Sequence, residues 1–266
     1  MKRTWIKVTF ILLEDQKDAF WWWFSKLDSL GAWEVDCQTV IAYFLQPLPQ
    51  MSLPFVERWW QEEEEEGDWG KWRENFSPIW IDEDLVVRPP WEEKMNALFD
   101  VVIYPAYAFG TGHHPTTYGC LRFIKKYFQE GMSFLDVGIG SGILSILALK
   151  MGAKRVYGID VDPLAIEEVQ RNLALNDLEN SHVELFVGDM SRVEGKFDFI
   201  VANIGPYFSL KYLLIMTNHL EKGGKILLSG FEEGDWPPIE QKIHELRLVL
   251  LEKLTVSSWM SVVCQS

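Results

Sequence analysis

Three glycines at alternate positions, Gly138, Gly140 and Gly142, lie between two apolar runs of the chain. The first run ends at Val137 and the second reaches Met151, a pattern that predicts a strand, a tight turn and a helix. Glycines in such a turn let the backbone approach a ligand closely, and the N–H groups at the start of the helix point toward polar or negatively charged groups. The spacing therefore predicts a turn that binds a nucleotide.

An acidic residue, Asp160, follows the next predicted strand, Arg155 to Ile159. Its carboxylate can accept hydrogen bonds from both hydroxyls of a ribose, the role that an acid plays roughly 20 residues beyond the glycines in such folds. The two features together predict an adenosine-containing ligand. The alternative is an ordinary glycine turn in an α/β sheet, and the position of Asp160 disfavours it.

The position of the third glycine separates two adenosine ligands. A dinucleotide fingerprint needs a glycine three positions after the second one, for close packing of helix on strand, and Ile143 occupies that position. The spacing is instead Asp136-x-Gly138-x-Gly140-x-Gly142. This order resembles the first motif of S-adenosylmethionine-dependent methyltransferases, so we expect S-adenosylmethionine rather than NAD.

Two more polar residues follow predicted strands. Val183 to Val187 precedes Asp189, and Phe197 to Ala202 precedes Asn203. Ligands of open α/β sheets bind at the carboxyl ends of the strands, and there these two residues would meet Asp136 and Asp160. The side-chain oxygen of Asn203 can accept a hydrogen bond from an amine, and its alternative role is to cap the helix that follows.

Residues 107–117 form a second close-approach segment, in which Gly110 and Gly112 flank Thr111. The hydroxyls of Thr111, Thr116 and Thr117 are candidates for holding a ligand, with Thr111 and Thr117 preferred. The adjacent pair His113 and His114 does not predict a metal site, because neighbouring histidines in a turn cannot easily face one ion and no third ligand is placed nearby.

Several segments together resemble the PrmA family of ribosomal protein methyltransferases. The strongest are Ala-Phe-Gly-Thr-Gly-x-His-Pro-Thr-Thr at 108–117 and Leu-Asp-Val-Gly-x-Gly-Ser-Gly-Ile-Leu at 135–144. Trp-Ile-Lys-Val at 5–8, Leu-Gly-Ala at 30–32 and the Trp-rich segment 69–92 extend the resemblance over nearly the whole chain. The chain departs from the family pattern in two places, with Ile139 where a cysteine is usual and Asn-Ile-Gly-Pro-Tyr at 203–207 in place of Asn-Ile-Leu-Ala.

The resemblance implies a reaction and a substrate. Members of this family use S-adenosylmethionine to methylate amino groups of the large-subunit ribosomal protein L11, on lysine side chains, on the N-terminal amine or on both. Asn203 would then position the amine, and Asp189 would hold the adenine amino group. The alternatives are an enzyme of the same fold that acts on another protein, an RNA or a small amine, and a non-catalytic binding scaffold.

The resemblance also implies an α/β fold, with a seven-stranded class I methyltransferase (Rossmann-like) domain whose last strand is reversed, and a smaller N-terminal α+β domain. Eleven of the 13 tryptophans lie at or before Trp91, and this shift in composition predicts a boundary near residue 95. We expect residues 1–95 to be a substrate-recognition domain with its linker. Residues 96–266 would be the cofactor-binding methyltransferase domain.

The hydrophobic periodicity predicts the elements of the N-terminal domain. Strands are expected at Trp5 to Leu13 and Trp33 to Phe44, and a helix between them at Asp15 to Leu30. A second helix is expected at Val56 to Glu66, which ends in five consecutive glutamates. The aromatic cluster at 21–24 is expected to pack into the core or against the sheet.

The net charge of −14 is concentrated in the first part of the chain. Residues 1–100 contain 10 Lys and Arg against 20 Asp and Glu, a balance of −10 that leaves −4 for the rest. An acidic surface repels phosphate backbones and attracts basic partners. Direct nucleic-acid binding is therefore not expected, and a basic protein substrate fits; the alternative is that the acidity only maintains solubility.

The chain shows neither an apolar run long enough for a membrane helix nor a signal peptide, so we expect a cytoplasmic protein without a membrane partner. Its cysteines, Cys37, Cys120 and Cys264, lie far apart, so no disulfide framework or zinc site is predicted.

Overall fold

The computed structural model describes residues 4–14, 16–24, 27, 29, 31–34, 36, 38–65, 76–105, 114–178 and 182–266. The chain divides into two compact units, Met1–Phe76 and Ser77–Ser266. The domain boundary expected near residue 95 stays a prediction. Among the helices in the described ranges, none has the length and apolar character that a membrane span requires.

The first unit is a four-stranded antiparallel sheet with a helix. Its elements are β1 (Thr4–Leu12), α1 (Lys17–Phe24), β2 (Gly31–Glu34), β3 (Thr39–Phe44) and β4 (Val56–Glu65). The strand order is β2-β3-β1-β4, so β1 is central and β4 lies at an edge. The ring of Phe10 on β1 lies 5.1 Å from that of Phe20 on α1, and both side chains are fully buried. Trp23 contacts both rings, as expected for a core role of the aromatic cluster.

The helix predicted over Val56 to Glu66 is wrong, because this segment forms the edge strand β4. Trp59 pairs with Phe10 and Gln61 pairs with Val8 across the antiparallel ladder with β1. Glutamate favours helices only weakly, and pairing with a central strand outweighs that preference. Charged side chains also suit an edge strand, since they oppose pairing with other chains.

The second unit begins with a small three-stranded sheet. It consists of β5 (Ile79–Trp80), β6 (Leu85–Arg88) and β7 (Phe99–Val102), with β6 antiparallel to β5 and parallel to β7. Arg88 Nε on β6 lies 2.8 Å from Asp100 Oδ1 on β7, and both side chains are largely buried. A two-pronged contact of this kind fixes the register of the pair.

The main body of the second unit is a seven-stranded sheet with helices on both faces. Its helices are α2 (Pro115–Tyr127), α3 (Ile143–Lys150), α4 (Pro163–Leu175), α5 (Pro206–Asn218) and α6 (Trp236–Glu245). Its strands are β8 (Ser133–Val137), β9 (Arg155–Asp160), β10 (Val183–Val187), β11 (Phe197–Asn203), β12 (Leu220–Glu232), β13 (Val249–Val256) and β14 (Trp259–Gln265). The strand order is β10-β9-β8-β11-β12-β14-β13. β14 runs in the opposite direction to the other six strands of this sheet, since it is antiparallel to both β12 and β13. The predicted seven-stranded fold and its reversed last strand are therefore confirmed.

Alternating side chains of the central strands fill two separate cores. Phe134 and Phe199 stack at 5.7 Å in the core on one face, whereas Leu135 and Ile200 lie in the core on the other. Successive residues of a strand point to opposite faces, and all five residues of β8 are buried. Burial on both faces is typical of parallel sheets. The strands are thereby held rigidly and their ends occupy fixed positions.

Candidate functional site

The parallel strands bring the predicted polar residues to one edge of the sheet. Val137, at the end of β8, pairs with Ile159 of β9 and with Ala202 of β11. Asp160 pairs with Val187 at the end of β10. The structure thus places Gly138, Asp160, Asp189 and Asn203 at or just beyond neighbouring strand ends, with Asp136 inside the end of β8. Thr111 lies outside the described residues.

The glycine turn folds back over β9. The backbone N–H groups of Gly138 and Ile139 both donate to Ile159 O, at 2.9 and 3.0 Å. Gly138, Gly140 and Gly142 all have a positive φ, between 52° and 78°, a conformation that glycine adopts without strain. A Cβ on Gly138 would lie 2.7 Å from Ile204 Cδ1, so the turn after β8 touches the segment after β11.

The carboxylate of Asp160 is held by the backbone on both oxygens. Gly140 N donates to Oδ2 and Asp162 N donates to Oδ1, each at 3.0 Å. A carboxylate oxygen can accept more than one hydrogen bond, so both oxygens keep capacity for two ribose hydroxyls. The backbone therefore orients this side chain before any ligand binds.

Asp136 is a buried carboxyl group beneath the turn. Its exposed fraction is 2%, and Ser145 Oγ at the start of α3 donates to its Oδ2 at 2.7 Å. Burial raises the pKa of Asp136 to about 7, and the neighbouring charge of Asp160 acts in the same direction, although Ser145 opposes the rise. The group therefore exchanges its proton near neutral pH.

Asp189 has a different environment from Asp136. It is exposed and begins a short 3₁₀ turn, Met190–Arg192, in which its Oδ1 accepts from Ser191 N at 2.9 Å and from Ser191 Oγ at 2.6 Å. These hydrogen bonds lower the pKa of Asp189, so its carboxylate is ionised at neutral pH. A charged acceptor is thus available beyond the end of β10.

Two buried oxygens in the described part of the chain have no hydrogen-bond partner there: Asn203 Oδ1 and Thr117 Oγ1. A buried polar atom without a partner costs about 1–3 kcal/mol. The helix after Asn203 begins at Pro206, with Gly205 as its cap residue and no side-chain cap. The geometry therefore disfavours the helix-capping role of Asn203 and leaves its oxygen available to a bound group.

His114 has a structural role at the start of α2. Its Nδ1 accepts from Thr116 N at 3.3 Å and lies 2.7 Å from Thr116 Oγ1. Its ring packs against Trp259 with centroids 4.8 Å apart. His113 lies outside the described residues. Among the residues that are described, no three His, Cys, Asp or Glu side chains group as metal ligands.

The structure adds residues that the sequence did not single out. Gly230, after the apolar core of β12, has a φ of +93°, and a Cβ there would lie 2.9 Å from the backbone N of Gly205. The chain after Asn203 therefore rests directly on the backbone of β12. In the sequence its only signal is that a glycine follows the apolar run 226–228.

Exposed apolar side chains also surround the polar strand ends. They are Val161, Leu164, Val187, Ile204 and Tyr207, the last with 75% of its surface exposed. Apolar groups beside a polar site are typical of surfaces that cover flat apolar parts of a ligand. An adenine ring or the alkyl stem of an amine has this character.

The fold and this edge of the sheet together define a class I S-adenosylmethionine-dependent methyltransferase. The residues fit that cofactor. The pre-oriented carboxylate of Asp160 suits a ribose, and the glycine turn allows close approach. The buried oxygens of Thr117 and Asn203 have no hydrogen-bond partner among the described residues and can bind a ligand. The family described as "Ribosomal protein L11 methyltransferase (PrmA)" matches residues 5–266, and the chain belongs to it.

Individual relatives agree with the family match. The chain is 38% identical to the Ribosomal protein L11 methyltransferase of Aquifex aeolicus over 204 residues, which cover 76% of this chain and 78% of the relative. It is 38% identical over 207 residues to the one from Dictyoglomus turgidum, covering 76% and 67%. The crystal structure of ribosomal protein L11 methylase from Lactobacillus delbrueckii subsp. bulgaricus is similar with a TM-score of 0.66 and 30% identity, covering 70% of this chain and 97% of that one.

The buried carboxyl group predicts a pH dependence of stability. The pKa of Asp136 is raised from 3.8 to about 7 in the folded protein, so the folded state favours the protonated group. Stability is therefore greatest below pH 3.8 and is lost progressively as the pH rises from 3.8 through 7, where the buried carboxylate ionises. Thermal melts of the cofactor-free protein between about pH 5 and pH 8 should show the wild type losing stability relative to Asp136→Asn. Asp189→Asn is the control, because its lowered pKa keeps it ionised across this range. Parallel curves for wild type and Asp136→Asn would contradict the assignment.

Two glycines provide a matched test of the contact beneath Asn203. Gly230 and Gly131 have similar φ values, +93° and +82°. A Cβ at Gly230 would lie 2.9 Å from Gly205 N, whereas a Cβ at Gly131 would meet no atom of the described residues within 4 Å. Both alanine variants should lose about 1–2 kcal/mol of stability from backbone strain. Only Gly230→Ala should also displace the segment after Asn203 and slow single-turnover methyl transfer by about 100-fold. Equal rates in the two variants would show that the contact has no part in positioning.

Proposed function

We propose that this chain uses S-adenosylmethionine to methylate amino groups of ribosomal protein L11, on lysine side chains, the N-terminal amine or both. The observation that carries the amine chemistry is the buried Oδ1 of Asn203, which has no partner among the described residues. It lies one strand away from the glycine turn, across the pairing of β11 with β8. The family match over residues 5–266 supports the identity of the substrate.

The protein's part in this reaction is to position the reactants. When bound, the cofactor would supply a methyl group on a sulfonium; a C–N bond to the amine would form as the C–S bond breaks and the sulfur leaves as a neutral thioether. Asn203 Oδ1 accepts a hydrogen bond from the incoming neutral amine and so aims its lone pair. No side chain is assigned as a general base, because a lysine amine can lose its proton to water before it enters. Orientation of this kind can supply effective molarities of ~10⁵ M or more.

The remaining site residues would hold the cofactor. Asp160 accepts from the ribose hydroxyls and Asp189 accepts from the adenine amino group. Gly138 and Gly140 let the backbone approach, and Asp136 lies beneath the turn. The hydroxyls of Thr117 and Thr111 also contact the ligand; Thr117 Oγ1 is buried and without a partner in the described residues.

The N-terminal domain, residues 1–95, would recognise the protein substrate, and residues 96–266 would carry the reaction. The edge strand β4 of the N-terminal domain supports the recognition role, because Glu57, Glu62 and Glu63 are exposed on it. Trp60 on the same strand is 45% exposed and borders a groove of about 580 Å³. Carboxylates beside an exposed aromatic ring suit lysine and arginine side chains. The same charge disfavours direct contact with nucleic acid in the cytoplasm.

The direct test is to incubate the protein with methyl-labelled S-adenosylmethionine and unmethylated L11. Label should appear in L11, and mass spectrometry should place it on lysine side chains or the N-terminal amine. The same assay with ribosomal RNA and with free lysine covers the other substrates. Label in either of these but not in L11 would reject the proposal, and cofactor binding without any label would indicate a scaffold.

Replacing Asn203 separates positioning from stability. Asn203→Ala should lower single-turnover methyl transfer by about 100-fold, because a hydrogen bond aimed at the reacting group commonly contributes ~3 kcal/mol to the transition state. Cofactor affinity should fall much less. A capping role would instead cost ~1 kcal/mol of stability and leave turnover nearly intact. Asn218→Ala is the control, because Asn218 is the exposed last residue of the helix that follows Asn203. If Asn203→Ala turns over within about threefold of this control, Asn203 does not position the amine.

Charge reversal on β4 tests the recognition surface. The double variant Glu57→Lys, Glu63→Lys leaves the ion pair of Glu62 with Lys7 (3.4 Å) in place. It should raise the KM for L11 by about 10-fold and leave the affinity for S-adenosylmethionine unchanged, since attraction to a basic partner is lost. Glu167→Lys, Glu221→Lys makes the same change in net charge on exposed residues of the second unit. Equal KM values for the two double variants would show that total charge, not β4, determines recognition.

A further inference from the structure

Two buried asparagines on α4 connect distant parts of the second unit. Asn172 lies within the helix and Asn176 is the residue after it, one turn further on, and they are 1% and 7% exposed. Asn176 bonds to both backbone polar groups of Val102. Its Oδ1 accepts from Val102 N at 2.9 Å, and its Nδ2 donates to Val102 O at 2.6 Å. Asn172 Oδ1 accepts from Tyr104 N at 2.9 Å. Both side chains therefore anchor the end of β7 and the residues that follow.

Only Asn172 also reaches the glycine turn. Its Nδ2 donates to Ser141 O at 2.8 Å, and Ser141 lies between Gly140 and Gly142. The same helix packs on the turn, since a Cβ on Gly142 would lie 3.0 Å from Val169 Cγ1. One side-chain amide thus joins the turn to the backbone at Tyr104.

The chemistry of this link requires an amide. Asn172 uses its oxygen as an acceptor and its nitrogen as a donor at the same time; an aspartate of similar size has no such donor when ionised, and a leucine has neither. The hydrogen bond to Ser141 O is buried and the one from Tyr104 N is partly buried, so losing either leaves a backbone group with no or little access to water as a substitute partner. The two segments are coupled through this side chain.

We propose that Asn172 is a positioning residue that couples the glycine turn to the backbone at Tyr104, just beyond the end of β7. The inference rests on the proposed cofactor site, because the turn is the part that contacts the cofactor. Cofactor bound at the turn would fix Ser141 O, the Asn172 side chain and Tyr104 N together. Asn176, which does not contact the turn, anchors β7 without this effect.

The matched variants Asn172→Asp and Asn176→Asp test the coupling. Each keeps the acceptor oxygen and loses the donor. Because Asn176 Nδ2 also donates to Asn172 O at 2.7 Å, Asn176→Asp should lower the melting temperature of the cofactor-free protein at least as much as Asn172→Asp. Calorimetry with S-adenosylmethionine should show affinity reduced by about 10-fold or more in Asn172→Asp and by less than about twofold in Asn176→Asp. Equal affinities in the two variants overturn the inference, whereas a wild type that does not bind S-adenosylmethionine overturns the proposed function instead.

Hydrogen exchange on the unaltered protein decides the question if a variant does not fold. Adding S-adenosylmethionine should slow exchange of the Tyr104 amide about 10-fold more than that of Val102, because of the two only Tyr104 N bonds to the Asn172 side chain that reaches the turn. The Val102 amide, held by Asn176, reports any general stabilisation by the ligand. Equal slowing at the two amides overturns the inference.

Discussion

The parallel pairing of β8 with β9 and β11 is the constraint on which the site depends. Val137 faces Ile159 on one side and Ala202 on the other, and this register sets where the turn begins and where Asn203 stands. A shift of one residue would turn every side chain of a strand to the opposite face. Because both faces of these strands are filled by apolar cores, such a shift would expose two hydrophobic surfaces at once. The cores therefore determine the positions of the polar groups.

Those polar groups are themselves unfavourable for folding. A buried carboxyl group at Asp136 and unpartnered oxygens on Thr117 and Asn203, counted over the described residues, each reduce stability. Aromatic stacking of Phe134 on Phe199 and the two large cores offset that cost. Local rules of stable folding are broken most often where a protein binds or reacts, and here the exceptions gather at one edge of one sheet.

The sequence could predict what depends on local pattern. Apolar runs followed by Asp160 or Asn203 mark strand ends, and parallel strands place those ends together without knowledge of packing. It could not predict contacts made by the folded backbone, such as Gly230 against Gly205 or Asn172 against Ser141. The edge strand β4 was mistaken for a helix because a run of glutamates shows no alternation, and only its partner β1 decides its conformation. The reversed β14 was implied by family resemblance, since periodicity carries no direction.

The position of β14 between β12 and β13 has a consequence for how the protein reaches its fold. β12 contains a run of buried apolar residues, Ile226, Leu227 and Leu228. Among the described strands its outer edge pairs with β14, which begins at Trp259, 27 positions after β12 ends at Glu232. Until that late strand inserts, β12 presents an open apolar edge, and β13 has no partner in the sheet. Open edges of this kind pair readily with other chains. A chain in which β14 has not yet inserted therefore exposes a surface that favours aggregation.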